Sequence, residues 1–103
     1  MKTYKHCFRA LEALLSKEDE STRRKVARLI QSFQRKAQSM EAVDNPTHHV
    51  YFLHLLRKDV LNNIIDMKLN LPVQTHLTAV IVAYYRRALS KVRTGETRYE
   101  KAS

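Results

Sequence analysis

Apolar residues recur every three or four positions along most of the chain. In the first segment, about residues 2–15, the repeating apolar residues are Tyr4, Phe8, Leu11, Leu14 and Leu15. In the second segment, about residues 17–40, they are Val26, Leu29, Ile30, Phe33, Ala37 and Met40. Residues at this spacing share one face of an α-helix, because the helix turns by about 100° per residue. Both segments are therefore predicted to be amphipathic helices with one buried face.

A polar junction, "SKEDE" at residues 16–20, separates these two segments. Ser16 can cap the second helix, with Asp19 three residues later as an approximate capping box. A later start at Ser21 or Thr22 is the alternative. Acidic residues suit the first turn of a helix, because the N–H groups there carry partial positive charge. The acidic run is therefore explained by capping, and no catalytic role is assigned to it.

Asn45-Pro46 predicts the start of a third helix, since Asn is a favourable N-cap and Pro fits the first helical position. This helix should extend over about residues 46–68. Its apolar residues spread over more than one stripe: Val50, Phe52, Leu53, Leu56, Val60, Leu61, Ile64, Ile65 and Met67. Such a helix normally contacts neighbours on two sides or a second subunit. We therefore expect this broad apolar helix at the centre of the molecule, and a homodimer that covers the surplus apolar surface.

The fourth helix follows the segment "NLPVQ". Leu71 precedes Pro72, and a residue before proline disfavours the helical conformation. The helix is therefore predicted over about residues 73–93. Gly95 supplies a stop signal just after it, and residues 94–103 form a polar tail.

A short strand before the fourth helix is the alternative, because Thr78–Val82 is rich in residues that favour strands. A strand that leads into a helix would resemble a ribbon-helix-helix DNA-binding protein. That motif needs two helices after its strand, and only one follows here. The 103 residues include one Gly and two Pro, whereas the tight turns of sheet proteins draw on both residue types. We therefore predict a single all-α domain, residues 1–103, built as a bundle of about four helices.

The chain is strongly basic, with 19 Lys and Arg against 10 Asp and Glu and a formal net charge of +9 at pH 7. This balance favours an anionic partner such as DNA, RNA or an acidic membrane surface. A high net charge also keeps a small protein in solution through self-repulsion. Whether the charge serves an anionic partner or only solubility depends on where the cations lie within each helix.

The second helix carries most of its cations away from its apolar stripe, although Arg23 lies close to the apolar edge. The cations opposite that stripe or on its flank are Arg24, Arg28, Arg35, Lys25 and Lys36. No acidic residue follows Glu20 before Met40, whereas a merely solvated helix face usually mixes both signs. This one-sided pattern predicts contact with an anion.

A second basic cluster closes the fourth helix and consists of Arg86, Arg87, Lys91 and Arg93. Both clusters contain more Arg than Lys, and the planar guanidinium can bind phosphate through two parallel hydrogen bonds. Cations near a helix C-terminus also interact favourably with the helix dipole, which is the structural alternative. Tyr84 is expected to pack in the core, whereas Tyr85 can either pack or stack on a base.

No arrangement of residues indicates catalysis or metal binding. His48, His49 and His54 are grouped, but the last two are five residues apart, whereas a helical metal pair needs a spacing of three or four. The single glycine excludes a Gly-rich nucleotide loop. Cys7 is the one cysteine, which precludes an internal disulfide and fits a reducing compartment. We therefore expect no enzyme, no cofactor and no metal.

The sequence predicts a cytoplasmic protein without a membrane-spanning segment, because no run of about 18 uncharged apolar residues occurs. The favoured function is a small non-enzymatic nucleic-acid-binding or nucleoprotein accessory protein whose two Arg-rich clusters contact phosphates. The alternative is an adaptor or inhibitor that docks the third helix on an acidic partner protein. Peripheral membrane attachment is weaker, because the apolar face of the basic helix is needed for the core.

Overall fold

The computed structural model describes residues 3–40 and 45–94, with side chains up to residue 92. They form four α-helices: α1 (Tyr4–Leu15), α2 (Glu20–Ser39), α3 (Pro46–Asp66) and α4 (Leu71–Thr94). The predicted all-α bundle is confirmed. The strand alternative is wrong, because residues 78–82 lie in the middle of α4 and no strand occurs within the described ranges. In the same part of the chain, every helix is too short or too polar to cross a bilayer.

The first two helices begin at side-chain caps. The Thr3 hydroxyl accepts a hydrogen bond from the backbone N–H of His6, and Asp19 accepts one from Thr22 at 2.8 Å. The cap of α2 is therefore Asp19, and the predicted cap at Ser16 is wrong, because Ser16 ends α1 instead. The hydrogen bonds from the Thr22 side chain and backbone lower the pKa of Asp19, because they favour its ionised form.

The start of α3 matches the prediction, whereas α4 begins two residues earlier than predicted. Asn45 caps α3 through a 3.2 Å hydrogen bond from the His48 N–H, with Pro46 at the first helical position. In α4, Pro72 occupies the second helical position, where a missing N–H costs nothing because the first turn has no internal acceptors. Leu71 is therefore helical despite preceding proline.

The chain reverses between α3 and α4 without a glycine. Lys68, two residues after the end of α3, has a φ of 53°. This left-handed conformation is the usual way to leave a helix, and glycine is its commonest residue. The predicted extension of the third helix to residue 68 is therefore wrong by about one half-turn.

The helix at the centre of the bundle is α4. It packs closely along both α1 and α3 and also touches α2, whereas α3 packs against α4 and, less extensively, against α2. The central position expected for the third helix is therefore held by the fourth. Its buried residues, together with those of the other helices, form one core around Phe33, Leu53 and Leu77.

The apolar surface of α3 divides between two opposite faces. Its buried stripe consists of His49, Leu53, Leu56, Val60 and Ile64. Tyr51, Leu55 and Ile65 lie on the other face and are 63%, 44% and 61% exposed. The helix thus has apolar residues on two sides, as the sequence indicates, but only one of these sides is covered within a single chain.

Two contacts establish that α1 runs antiparallel to α4. At one end, the Asn70 amide donates a 2.6 Å hydrogen bond to the Glu18 carboxylate, which joins the start of α4 to the α1–α2 turn. At the other end, the rings of Tyr4 and Tyr84 meet with centroids 5.5 Å apart. The 24 residues of α4 span about 36 Å and the 12 residues of α1 about 18 Å. The turns of α4 after Tyr84 therefore extend beyond α1.

Replacing Asn70 by Ala should lower the free energy of unfolding by about 1 kcal/mol, the usual cost of losing an N-cap side chain. Its side chain accepts a hydrogen bond from the Val73 N–H at 3.1 Å and donates one to the Glu18 carboxylate. Urea unfolding followed by circular dichroism measures the change. Asn63→Ala, at an exposed position inside α3, is the control and should not destabilise, because Ala favours helix. Equal losses in both variants would contradict the capping role.

Candidate nucleic-acid interface

The outer face of α2 carries five exposed cations. They are Arg24, Lys25, Arg28, Arg35 and Lys36. Val26, Ile30, Phe33 and Ala37 form the buried stripe on the opposite side of the same helix. Because burial fixes the rotation of the helix, Arg24, Arg28 and Arg35 point away from the bundle along about 16 Å of its length. The arrangement predicted from helical angle is therefore present as an open surface.

One of these arginines is engaged within its own helix. Arg24 forms an ion pair with Glu20 at 2.8 Å, and both side chains are about two-thirds exposed. An exposed pair at this spacing contributes little stability and is screened by salt. Arg28 and Arg35 form no ion pair with any other described residue. The strongest positive potential on α2 therefore lies beyond its first turn.

The second predicted cluster divides between two surfaces of α4. Arg86 lines a shallow apolar groove between α1 and α4, near Lys5. Lys91 borders a polar cleft, and Arg87 lies where the groove and the cleft meet. Adjacent residues on a helix point about 100° apart, which separates Arg86 from Arg87. The side chain of Arg93 lies outside the described part of the structure.

The polar cleft has a volume of about 250 Å³ and lies where all four helices meet. Gln34 and Gln38 of α2 face Arg87 and Lys91 of α4 across it, and His49 of α3 closes one side. Lys91 is half-buried, and His49 is 2% exposed. The cleft exists because α4 continues past the start of α1, which leaves the inner side of its last turns uncovered.

An aromatic cluster forms the base of this cleft. Tyr84 makes edge contacts with Tyr4 and with Phe33, at centroid distances of 5.5 and 5.4 Å. The predicted packing of Tyr84 is therefore confirmed. The Gln34 amide donates a 2.5 Å hydrogen bond to the Tyr4 hydroxyl. Burial raises the pKa of Tyr4, and proximity to Tyr84 acts in the same direction, because both disfavour the phenolate.

Tyr85 lies on another side of α4 and has its own partner. The guanidinium carbon of Arg57 lies 4.9 Å from the centre of the Tyr85 ring, a cation–π distance. Both residues are half-buried. Tyr85 therefore packs against the core, with Arg57 over one face of its ring.

The histidines and the cysteine do not form a site. His48 and His54 are exposed, whereas His49 lies on the buried stripe of α3. Among the described residues, no group of three or more His, Cys, Asp or Glu is placed to hold a metal ion. Cys7 is buried in the core, 8% exposed. Its thiol therefore serves packing.

Sequence reasoning missed the cleft, although part of it was visible in the pattern. The inner stripe of α4 runs through Val73, Leu77, Val80 and Tyr84, and the same steps of four and three continue to Arg87 and Lys91. This continuation places both cations on the inward side of the helix. The contributions of Gln34, Gln38 and His49 depend on how three other helices meet α4, which no local pattern encodes.

Comparison of the chain with protein-family models, with curated proteins and with solved structures gives no significant match. What the two basic surfaces can bind is therefore inferred from their own geometry. The face of α2 is open along its length, whereas Arg87 and Lys91 border a concave polar cleft that is partly open to solvent. An open face suits a long polyanion, and a cleft suits a small group.

Tyr4→Phe should remove one late phase from a spectrophotometric titration of the tyrosines. The folded-state pKa of Tyr4 is raised above its ordinary value of 10.0. The protonated Tyr4 side chain therefore makes its full contribution to the free energy of unfolding below about pH 10. That contribution is lost as the pH rises through the folded-state pKa. Tyr51→Phe, at an exposed tyrosine, is the matched control and should leave the late phase intact. A late phase that survives Tyr4→Phe would disprove the assignment.

Proposed function

We propose that this protein binds nucleic acid without sequence preference through the basic face of α2. The observation that supports the proposal most directly is the exposure of Arg28 and Arg35 on the side of α2 opposite its buried stripe, without an acidic neighbour on that side. Lys25 and Lys36 extend the same surface on its flank. The proposed partner is the phosphate backbone of DNA or RNA, and no catalytic step is included.

The distribution of acidic side chains supports this proposal. Among the described residues they lie on α1, at the α1–α2 turn, at the first position of α2 and on α3: Glu12, Glu18, Asp19, Glu20, Asp59 and Asp66. The remainder of α2 has none. A surface with one sign of charge keeps a positive potential over its whole length and accelerates association with a polyanion.

The composition of the α2 face favours phosphate contacts over base contacts. Its exposed residues between the cations are small or polar, such as Ser21, Gln31 and Ser32. Stacking on bases requires exposed aromatic rings, and the aromatic residue of α2, Phe33, is buried. Contacts to phosphates position a protein on nucleic acid but carry no sequence information. Binding should therefore depend on salt much more than on sequence.

The double substitution Arg28→Ala and Arg35→Ala should weaken binding and flatten its salt dependence. Each lost phosphate contact on duplex DNA lowers the slope of log K against log salt by about 0.9, so the pair should lower it by roughly 2. Fluorescence anisotropy with labelled duplex and single-stranded oligonucleotides over a salt series measures both quantities. Melting temperatures should not fall, because both side chains are exposed.

The matched control for this experiment is Arg9→Ala with Lys17→Ala. These two exposed cations lie on α1 and on the α1–α2 turn, so the control removes the same charge from other surfaces. It should leave most of the affinity and slope intact. The proposal fails if the wild-type protein shows no salt-dependent binding at low ionic strength, or if the two double variants lose affinity equally.

We also propose that the exposed apolar face of α3 pairs with a second copy of the chain. Tyr51, Leu55, Lys58, Asn62 and Ile65 follow one another at steps of four, three, four and three, which is the spacing of a coiled-coil seam. In an antiparallel pair, Leu55 of one copy lies opposite Ile65 of the other, and Lys58 opposite Asn62. The seam is therefore self-complementary, as a twofold interface requires.

Leu55→Glu should shift the protein from dimer to monomer in sedimentation equilibrium, because a buried, unpaired carboxylate is costly at such a seam. Leu71→Glu places the same change on an exposed leucine outside α3 and should leave the dimer intact. A wild-type protein that is monomeric at all concentrations would overturn the pairing. In that case, the adaptor function would be favoured if a pulldown recovered one acidic protein whose binding persists after nuclease treatment. That binding should be lost in Leu55→Glu.

A further inference from the structure

We propose that the polar cleft between α2, α3 and the end of α4 is a binding site for a phosphate-type oxyanion. The proposal concerns a second site, separate from the open face of α2, and it does not depend on nucleic-acid binding there. Its central residue is Arg87, which faces the cleft together with Lys91. The ligand class is a tetrahedral oxyanion, either free or at the end of a larger molecule.

The lining of the cleft has the polarity that such an anion requires. Arg87 and Lys91 supply positive charge, and the amides of Gln34 and Gln38 supply neutral hydrogen-bond donors from the opposite wall. No acidic residue lines the cleft among the described residues. Arginine and lysine donate short, charge-assisted hydrogen bonds to phosphate oxygens, so donors are available on two sides of one small volume.

The position of Arg87 is not explained by the helix dipole. The dipole acts within the last turn of a helix, and Arg87 lies seven residues before Thr94, where α4 ends. Within the described structure, Arg87 is exposed and forms no ion pair. Lys91 lies in the last turn, where its charge can interact with the helix dipole as well as with a ligand. Neither the dipole nor an ion pair therefore accounts for the place of Arg87 beside the cleft, whereas an anionic ligand would.

The size of the cleft limits what can enter it. Pockets for drug-sized ligands have volumes of about 300–1,000 Å³, and this cleft has about 250 Å³. Space is available because two of the lining residues, Ala37 of α2 and Ala88 of α4, have small side chains. A phosphate group with one or two waters fits this volume, whereas a whole nucleotide would have to extend into solvent.

Part of the cleft wall is held in place before any ligand arrives. Gln34 is anchored by its hydrogen bond to the Tyr4 hydroxyl, and Tyr4 is packed against Tyr84. His49 is buried within α3 and borders the same space. A donor that is already anchored, such as Gln34, loses little conformational entropy on binding, whereas the exposed side chains of Arg87 and Gln38 are ordered by the ligand itself.

Two sources can supply this chemistry. One is a free phosphate compound, and the other is the terminal phosphate of a nucleic-acid strand that lies along the basic surface. Arg35 belongs to the same helix as Gln34 and Gln38, so a strand on α2 can end near the cleft. The two sources are distinguished by ligands that carry or lack a terminal phosphate.

The test is titration of the full chain with inorganic phosphate, compared with chloride at equal ionic strength. We expect saturable shifts of the Tyr4 and Tyr84 side-chain signals in NMR spectra and a matching rise in melting temperature, because a ligand that binds the folded state stabilises it. Arg87→Gln should weaken phosphate binding about tenfold or more, as expected for the loss of a charged hydrogen bond. Arg87→Lys should restore part of the affinity.

Arg86→Gln is the matched control, since it removes the same charge from the adjacent residue, which lines the groove between α1 and α4 but not the cleft. It should change phosphate affinity by less than about twofold, because exposed charges act weakly through solvent. The absence of saturable binding, or equal losses in Arg86→Gln and Arg87→Gln, would overturn the site. Circular dichroism melts of each variant without phosphate exclude misfolding as the cause of a loss.

A second arm identifies the source of the phosphate. Oligonucleotides with a 5′-phosphate are compared with the same strands ending in a 5′-hydroxyl, at one salt concentration. A tighter complex with the 5′-phosphate that is lost in Arg87→Gln assigns the cleft to strand ends; equal affinities assign it to free phosphate compounds. Arg28→Ala with Arg35→Ala should retain binding of inorganic phosphate, so failure of the α2 proposal and failure of this one give different results.

Discussion

The packing of α4 against both α1 and α3 is the interaction on which the rest of the structure depends. Its inner stripe, which includes Val73, Leu77 and Val80, is almost completely buried, and it holds together helices that contact each other much less. Burial of such side chains is the dominant favourable term in folding, at roughly 1.5–3 kcal/mol for each large residue. Because α4 is about twice as long as α1, this stripe also continues past the region that α1 covers, and there it becomes basic.

The same burial requirement directs the charges of α2. Val26 and Phe33 must face the core, so the arginines on the other side of the helix cannot turn inward and are presented together. Their number matters less than their common direction and the lack of acidic neighbours beyond Glu20. The proposed binding of nucleic acid by α2 and the proposed binding of an oxyanion in the cleft thus have one cause, namely apolar stripes that fix the rotation of their helices.

The two basic surfaces differ in how rigidly they are built. The cations of α2 are long, exposed side chains, which adapt to a polymer and are sensitive to salt. The cleft combines two exposed side chains, Arg87 and Gln38, with the half-buried or buried Gln34, Lys91 and His49, beside a cluster of Tyr4, Phe33 and Tyr84. The exposed seam of α3 is a third surface, where the apolar Tyr51, Leu55 and Ile65 flank Lys58 and Asn62. One small bundle therefore offers three chemically distinct surfaces. Each of them lies where the core leaves one side of a helix uncovered.

The sequence by itself determined the all-α class, the number of helices and the face of α2 that bears the arginines, because the period of apolar residues and the scarcity of Gly and Pro are local properties of the chain. It placed the Asn45 cap correctly, yet it placed the start of α4 after Pro72 instead of at Leu71. Proline is tolerated in the first turn of a helix because the N–H groups of that turn have no acceptor within the helix. Only the tertiary structure decided that α4 is central, that Arg87 borders the cleft whereas Arg86 does not, and that Gln34, His49 and Lys91 share that cleft. These outcomes depend on the relative lengths and crossings of helices far apart in the chain, which arise when the bundle packs and are not encoded at any single position.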